Sequence, residues 1–294
     1  MRPTSPLLLG LAWAAIALAG CGSGTPPRAA DPTTTAPPAA TCALPGRSGG
    51  SGTQIVGADG RDRRVLVALP DDLDPAPPLV LALHGHGGSA AEFDANTGLA
   101  AAGAARGIAV VTPQGEGDPR RWNFDRRPDG PDDYAFVDGL IADLVAGGCA
   151  DPDRVVVAGS SNGAAFAGLL ACTAPYRAAA VVMVIATVPT SCPPDVVPSI
   201  LTVRGKADAK VPYAGTPELV AADAAHHGCD PTPMVDEPEA GVERTTYTGC
   251  RDGAEVTLVA VDGGTHTWFG GATAPSAFSA TDAVLDLTAR TTAR

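Results

Sequence analysis

Arg154-Val155-Val156-Val157-Ala158-Gly159-Ser160-Ser161-Asn162-Gly163 places a serine where it could act as a nucleophile. β-favouring residues run straight into a Gly-x-Ser-x-Gly turn, and Ala164 to Ala171 then reads as a helix. Strand, sharp turn and helix is the context of a nucleophile elbow, in which the turn exposes the serine hydroxyl above a sheet. Gly159 and Gly163 leave out side chains that would strike the neighbouring strand and helix. The pattern recurs at Gly46-Arg47-Ser48-Gly49-Gly50. There, no strand enters and no helix leaves, so context selects Ser161.

A serine hydroxyl needs a base to take its proton, and the base needs an acid to orient it. The chain has five histidines. His84 and His86 precede the serine. His226 and His227 sit at a helix end, where a cationic side chain suits the helix dipole. His266 lies in Gly263-Gly264-Thr265-His266-Thr267-Trp268, directly after the last strand, and is the expected base. The acid should follow the strand Ile200-Leu201-Thr202-Val203, and Asp208 does. Of its rivals, Asp195 precedes that strand and Asp223 lies inside a helix. Two N–H donors must meet the developing oxyanion, each worth about 3 kcal/mol. Asn162 and His86 should supply them from the backbone.

The elements that hold these residues alternate between strand and helix. Residues 54–56 and 63–69 read as an opening hairpin turning near Asp59-Gly60. Buried strands follow at 79–83, 108–112, 154–158, 181–185, 200–203 and 255–261. Helices are expected near 90–105, 135–146, 164–171, 216–227 and 276–290, the first with Ser89 and Glu92 in a capping box. The loop from Pro113 to Pro131 is long and polar, a length that usually signals function. The alternation predicts an α/β protein with a mostly parallel central sheet covered by helices on both faces. The Ser–Asp–His order makes that an α/β-hydrolase fold.

The 294 residues carry a net charge of −12, with basic residues adjacent only in pairs, which argues against nucleic acid as a partner. Met1 to Gly20 reads as a signal peptide whose apolar run is too short to span a bilayer comfortably. Its end, Leu18-Ala19-Gly20-Cys21, resembles a bacterial lipobox with Cys21 lipidated; plain secretion is the alternative. Residues 21–41 form a Gly/Pro/Thr-rich tether, and 42–294 a single catalytic domain expected to be a monomer. Without Cys21, six cysteines remain, and an even number in an exported chain reads as disulfides. Proximity favours Cys172–Cys192 and Cys229–Cys250, leaving Cys42–Cys149. No Cys-x-x-Cys occurs, and no metal or cofactor is expected.

Taken together, these residues carry a resemblance to a known family. Leu83-His84-Gly85-His86-Gly87-Gly88, Pro113-Gln114-Gly115, Trp122-Asn123, Asp151-Pro152-Asp153-Arg154-Val155, Gly159 to Gly163, Asp208 before Val211-Pro212-Tyr213, and Gly263 to Trp268 occur in that order. They resemble the polyhydroxybutyrate depolymerase / feruloyl esterase group of secreted esterases over roughly residues 50–272. The resemblance implies a Ser161–Asp208–His266 triad and no cofactor. The family often has His-Gly-Cys where this chain has His84-Gly85-His86, and Trp-Pro-Gly where it has Trp268-Phe269-Gly270.

Trp122 and Trp268 flank the site in sequence and could offer aromatic faces to an acyl or aryl group, or could simply pack. The Arg120-Arg121 pair could attract a carboxylate or stay solvated. The expected activity is hydrolysis of a small or polymeric ester, whether polyester, feruloylated polysaccharide or small ester. Acyl transfer by the same triad, or a non-catalytic binding lipoprotein on this scaffold, are the alternatives.

Overall fold

The computed structural model describes residues 42–291 apart from 45–46, 49–51, 59–60, 74, 174–177 and 191. The signal peptide, Cys21 and the tether lie outside the described residues. Two short strands, β1 (Ala43–Leu44) and β2 (Arg47–Ser48), pair with each other. The remaining strands are β3 (Gly52–Ala58), β4 (Arg61–Ala68), β5 (Leu79–Leu83), β6 (Ala109–Pro113), β7 (Val155–Ser160), β8 (Ala180–Val184), β9 (Ser199–Gly205), β10 (Met234–Glu239), β11 (Val242–Tyr247) and β12 (Val256–Val261). They form one sheet in the order β10-β11-β12-β9-β8-β7-β5-β6-β4-β3. The six strands from β12 to β6 are parallel, and an antiparallel hairpin closes each edge.

The helices are α1 (Ala90–Thr97), α2 (Leu99–Ala104), α3 (Asp133–Ala146), α4 (Asn162–Thr173), α5 (Thr216–His226) and α6 (Ala280–Arg290). Strand alternation sends side chains to both faces, which explains why the central strands are apolar throughout. Leu79, Leu81 and Leu83 join Phe136, Phe166 and Val220 under α3, α4 and α5. Val80 and Ala82 join Phe93, Leu99 and Leu285 under α1, α2 and α6.

Five expectations need correction. Strand β2 covers Arg47 and Ser48 of the second Gly-x-Ser-x-Gly match, a stretch expected to be loop, although no helix follows it among the described residues. The helix predicted over 90–105 is two helices, because Gly98 takes φ 66° and ends the first. In its capping box, the Ser89 hydroxyl accepts from the Glu92 N–H but donates to the Glu92 carboxylate. The hairpin β10–β11 was not expected; every residue of β10 is exposed, so it carries no burial alternation to read. His227 is buried, which lowers its pKa and makes it a neutral cap instead of a cation on the dipole.

The six cysteines form Cys42–Cys149, Cys172–Cys192 and Cys229–Cys250. The second of these holds the C-terminal turn of α4, the helix that follows the candidate nucleophile, to the loop before β9. His226 donates to the Cys192 carbonyl at 2.8 Å and reinforces that loop.

Candidate active site

Ser161 stands between β7 and α4 with φ 53°, a left-handed conformation that is strained for a residue with a side chain. Two close approaches enforce it. A Cβ on Gly159 would lie 2.2 Å from the Gly163 carbonyl oxygen, and one on Gly163 would lie 2.3 Å from that of Leu83. Only glycine lets helix α4 start directly against the ends of β7 and β5. The Ser161 N–H is held by the Val184 carbonyl at 2.9 Å, and its own carbonyl opens the helix by accepting from Ala165.

The loops after β9 and β12 bring the other two groups together. Their backbones touch at Gly205 and Gly264, where a Cβ on Gly205 would sit 2.2 Å from the Gly264 oxygen. Ala207 N–H donates to that same oxygen. His266 Nε2 lies 2.9 Å from Ser161 Oγ, and its Nδ1 lies 2.7 Å from Asp208 Oδ2. With Nδ1–H donating to the carboxylate, Nε2 is free to accept the serine proton. Asp208 Oδ1 accepts from the N–H groups of Lys210 at 2.9 Å and Val211 at 3.0 Å. Burial alone would raise the Asp208 pKa; the Val211 N–H, the His266 ring and the Lys210 N–H outweigh it and hold the carboxyl below its usual range. The Asp208 side chain is fully buried while that of His266 is 15% exposed, so solvent reaches the imidazole and not the carboxylate. The rival acids are elsewhere: Asp195 is exposed, and Asp223 accepts the Thr190 N–H at 3.0 Å.

Asn162 is the first residue of α4, and the first N–H groups of a helix have no intrahelical acceptor. His86 lies in the turn after β5, exposed, beside Gly85. A Cβ on Gly85 would approach Ser161 Cβ to 3.5 Å, so this turn stands directly against the serine.

The two tryptophans are corrected by their burial. Trp122 is 0% and Trp268 2% exposed, so neither presents a face to a substrate. Trp122 stacks on Phe166, lies 5.2 Å from the His84 ring and donates its Nε1–H to the His84 carbonyl. Trp268 packs edge-on to Phe93 and donates to Thr281 Oγ1 at 3.0 Å. Both indoles find internal acceptors, which lets them stay inside.

Several structural roles escaped the sequence reading. His84 is buried, and burial lowers its pKa. It bonds the Gly85 carbonyl through Nδ1–H and accepts the Gly115 N–H on Nε2. The Asn162 side chain accepts the Trp122 N–H at 2.7 Å and donates back to its carbonyl. Arg63 pairs with Asp133 at 2.6 Å, with both side chains at most 1% exposed, and Asp133 also accepts the Asn123 N–H. Burial pushes the Asp133 carboxyl up, against the pull of Asn123 and Arg63. These contacts fix the long loop between β6 and α3 to the site. A charge inside an otherwise uncharged strand, as at Arg204 in β9, was the available signal; Arg63 sits among Arg61, Asp62 and Arg64 and carried none.

Beside His86 lies a polar recess of 360 Å³, lined by Arg61, Glu116, Asp118, Arg121 and Arg127 among others. Arg120 is exposed, and its carbonyl accepts the Gly87 N–H. A larger groove, 920 Å³, lies between the β10–β12 edge and α6 and includes none of Ser161, Asp208 or His266. Among the described residues, no cluster of His, Cys, Asp and Glu could hold a metal ion.

The profile of the family described as Esterase PHB depolymerase matches residues 68–206, from β4 through the elbow to the end of β9. NocK from Nocardia uniformis subsp. tsuyamanensis, named as an esterase, is 31% identical over 240 residues, spanning 69% of this chain and 68% of that protein. Feruloyl esterase B from Piromyces equi is 27% identical over 235 residues, 69% of this chain but only 42% of its own length. Among solved structures, the acetyl xylan esterase from Aspergillus awamori superposes with a TM-score of 0.59 at 18% identity, covering 74% of this chain and 94% of that one. That likeness establishes the α/β-hydrolase fold. The chain therefore belongs to the polyhydroxybutyrate depolymerase / feruloyl esterase-like family of carboxylic ester hydrolases.

Proposed function

We propose that the protein is an exported serine esterase working through an acyl-enzyme on Ser161. One observation carries this reading: the unbroken chain Ser161 Oγ, His266 Nε2, His266 Nδ1, Asp208 Oδ2, with contacts of 2.9 and 2.7 Å. The Ser161 oxygen attacks the ester carbonyl carbon while His266 takes its proton. The negative charge passes to the carbonyl oxygen, which the N–H groups of Asn162 and His86 receive. Collapse of that intermediate breaks the bond to the alcohol, which leaves with the proton from His266. Water then attacks the acyl-enzyme, giving its proton to His266, and releases the acid and the free serine. Asp208 keeps the ring in the required tautomer and balances the imidazolium charge.

The substrate class is a carboxylic ester of the feruloyl, aryl or hydroxyalkanoate kind, in keeping with the names of the relatives. Export is supported by the three disulfides, which persist in oxidising compartments. Residues 1–20 act as the signal peptide, Cys21 carries the lipid, residues 21–41 are the tether and residues 42–294 a monomeric catalytic domain.

Ser161→Ala should lower hydrolysis of short p-nitrophenyl esters by at least about 10⁴-fold. Its circular dichroism spectrum should match the parent. Turnover within tenfold of the parent would remove the serine mechanism.

A further inference from the structure

Behind the loop that carries Asp208 lies a buried cation with a set of neutral partners. Arg204 is the next-to-last residue of β9 and is 1% exposed. Its Nη1–H donates to Thr216 Oγ1 at 2.9 Å, at the start of α5. Its Nη2–H groups donate to the carbonyls of Val211 at 2.7 Å and Pro212 at 3.0 Å. A guanidinium stripped of water must gather acceptors, and these three all belong to the segment that leads from Asp208 into α5. That segment is also what aims the acid: the N–H groups of Lys210 and Val211 hold Asp208 Oδ1, leaving Oδ2 for His266. Val211 therefore stands between the two, its N–H on the carboxylate and its carbonyl on Arg204.

Fold stability alone gives no reason for a charge here. The neighbours along β9 are Val203 and Gly205, both buried, and a well-packed apolar side chain in such a place is often neutral or stabilising. What an apolar side chain cannot do is grip two successive carbonyls and a hydroxyl at once; the planar fork of arginine can. Resting on the Ser161–His266–Asp208 reading, we infer that Arg204 is a positioning residue. It fixes the turn at Val211 and Pro212, and through that turn the orientation of the Asp208 carboxylate toward His266. It touches no substrate, so its effect falls on the chemical step and not on binding.

The test uses the purified parent, Arg204→Met and Arg204→Lys, with active sites counted by a fluorophosphonate so that misfolded protein does not enter kcat. Misalignment of a catalytic group by about 1 Å costs on the order of 10²-fold in rate. Arg204→Met should lose roughly 30- to 100-fold in kcat per labelled site, with KM within about twofold of the parent. Arg204→Lys keeps the charge but not the fork, and should recover part of the loss, with kcat about five- to tenfold below the parent. Arg204→Met at a kcat within threefold of the parent overturns the inference. If Arg204→Met does not fold, Arg204→Lys carries the test, and parental kcat in that variant overturns it. A Ser161→Ala control separates the two readings. Activity in that control sinks the triad itself, whereas an inactive control with unchanged Arg204 variants sinks only the role of Arg204.

Discussion

Arg63 and Arg204 are both 1% exposed, and each ties down a loop at the rim of the site. Arg63, on β4, holds the long loop after β6 through the Gln114 carbonyl and through Asp133, whose second oxygen takes the Asn123 N–H. Arg204, on β9, holds the acid loop through two carbonyls and a hydroxyl. The first is an ion pair at the base of a wall. The second is a cation among neutral acceptors, linked through Val211 to the carboxylate that bonds His266. The same side chain thus performs two tasks, and its partners decide which. Where the partner is a buried carboxylate, losing the arginine strands a charge. Where the partners are carbonyls of a turn, losing it frees the turn.

The largest effect should come from stranding the charge. Arg63→Met leaves Asp133 buried and unpaired and should cost about 3–5 kcal/mol in denaturant unfolding. The double variant Arg63→Met, Asp133→Asn should regain most of that, because it removes the charge while the amide oxygen still accepts the Asn123 N–H. A single-variant loss below about 1 kcal/mol would erase the contrast between the two arginines.

A smaller loss is expected where a neutral bond anchors the same loop. Trp122→Phe keeps the ring stack on Phe166 but leaves the buried His84 carbonyl without its indole donor. It should cost about 1–2 kcal/mol by thermal or chemical unfolding. No measurable change would mean that the loop is held by Asn162 and Asp133 alone.

The smallest effect is a gain. Asp138, on α3 with Asp133, has a buried Oδ1 without a hydrogen-bond partner, and its pKa is pushed up to about 6 by burial first and by Asp132 second. It shows what burial does to a carboxyl that lacks the guanidinium Asp133 has. Its folded pKa exceeds the unfolded one, so the folded state holds the extra proton between about pH 4 and 6 and loses stability as pH rises through that window. Asp138→Asn should therefore stabilise the protein at pH 8 by about 1 kcal/mol, after allowing for solvent screening at a partly buried group. The gain should vanish near pH 4. A gain of equal size at both pH values would assign it to something other than ionisation.

How much of this was readable beforehand follows from the same physics. The inner parallel strands were legible because both faces are buried, and runs such as Leu79 to Leu83 have no polar side to confuse them. The elbow was legible because Gly159 and Gly163 are required by close backbone contact, which leaves a mark in composition. The edge hairpin β10–β11 was not, since β10 is exposed throughout and contains Pro238, a residue that edge strands tolerate. Trp122 and Trp268 misled because an indole near a site in sequence says nothing of which way it turns. The Arg63–Asp133 pair joins residues 70 positions apart, and nothing in the spacing of either announces the other.

The central claim is that Ser161 becomes acylated. Rapid quenching of the protein during turnover of a p-nitrophenyl ester, followed by peptide mass mapping, tests it directly. One acyl group on Ser161, absent from Ser161→Ala, is the expected result. Acylation of the adjacent Ser160, or full-rate hydrolysis with no covalent species at any time, would contradict it.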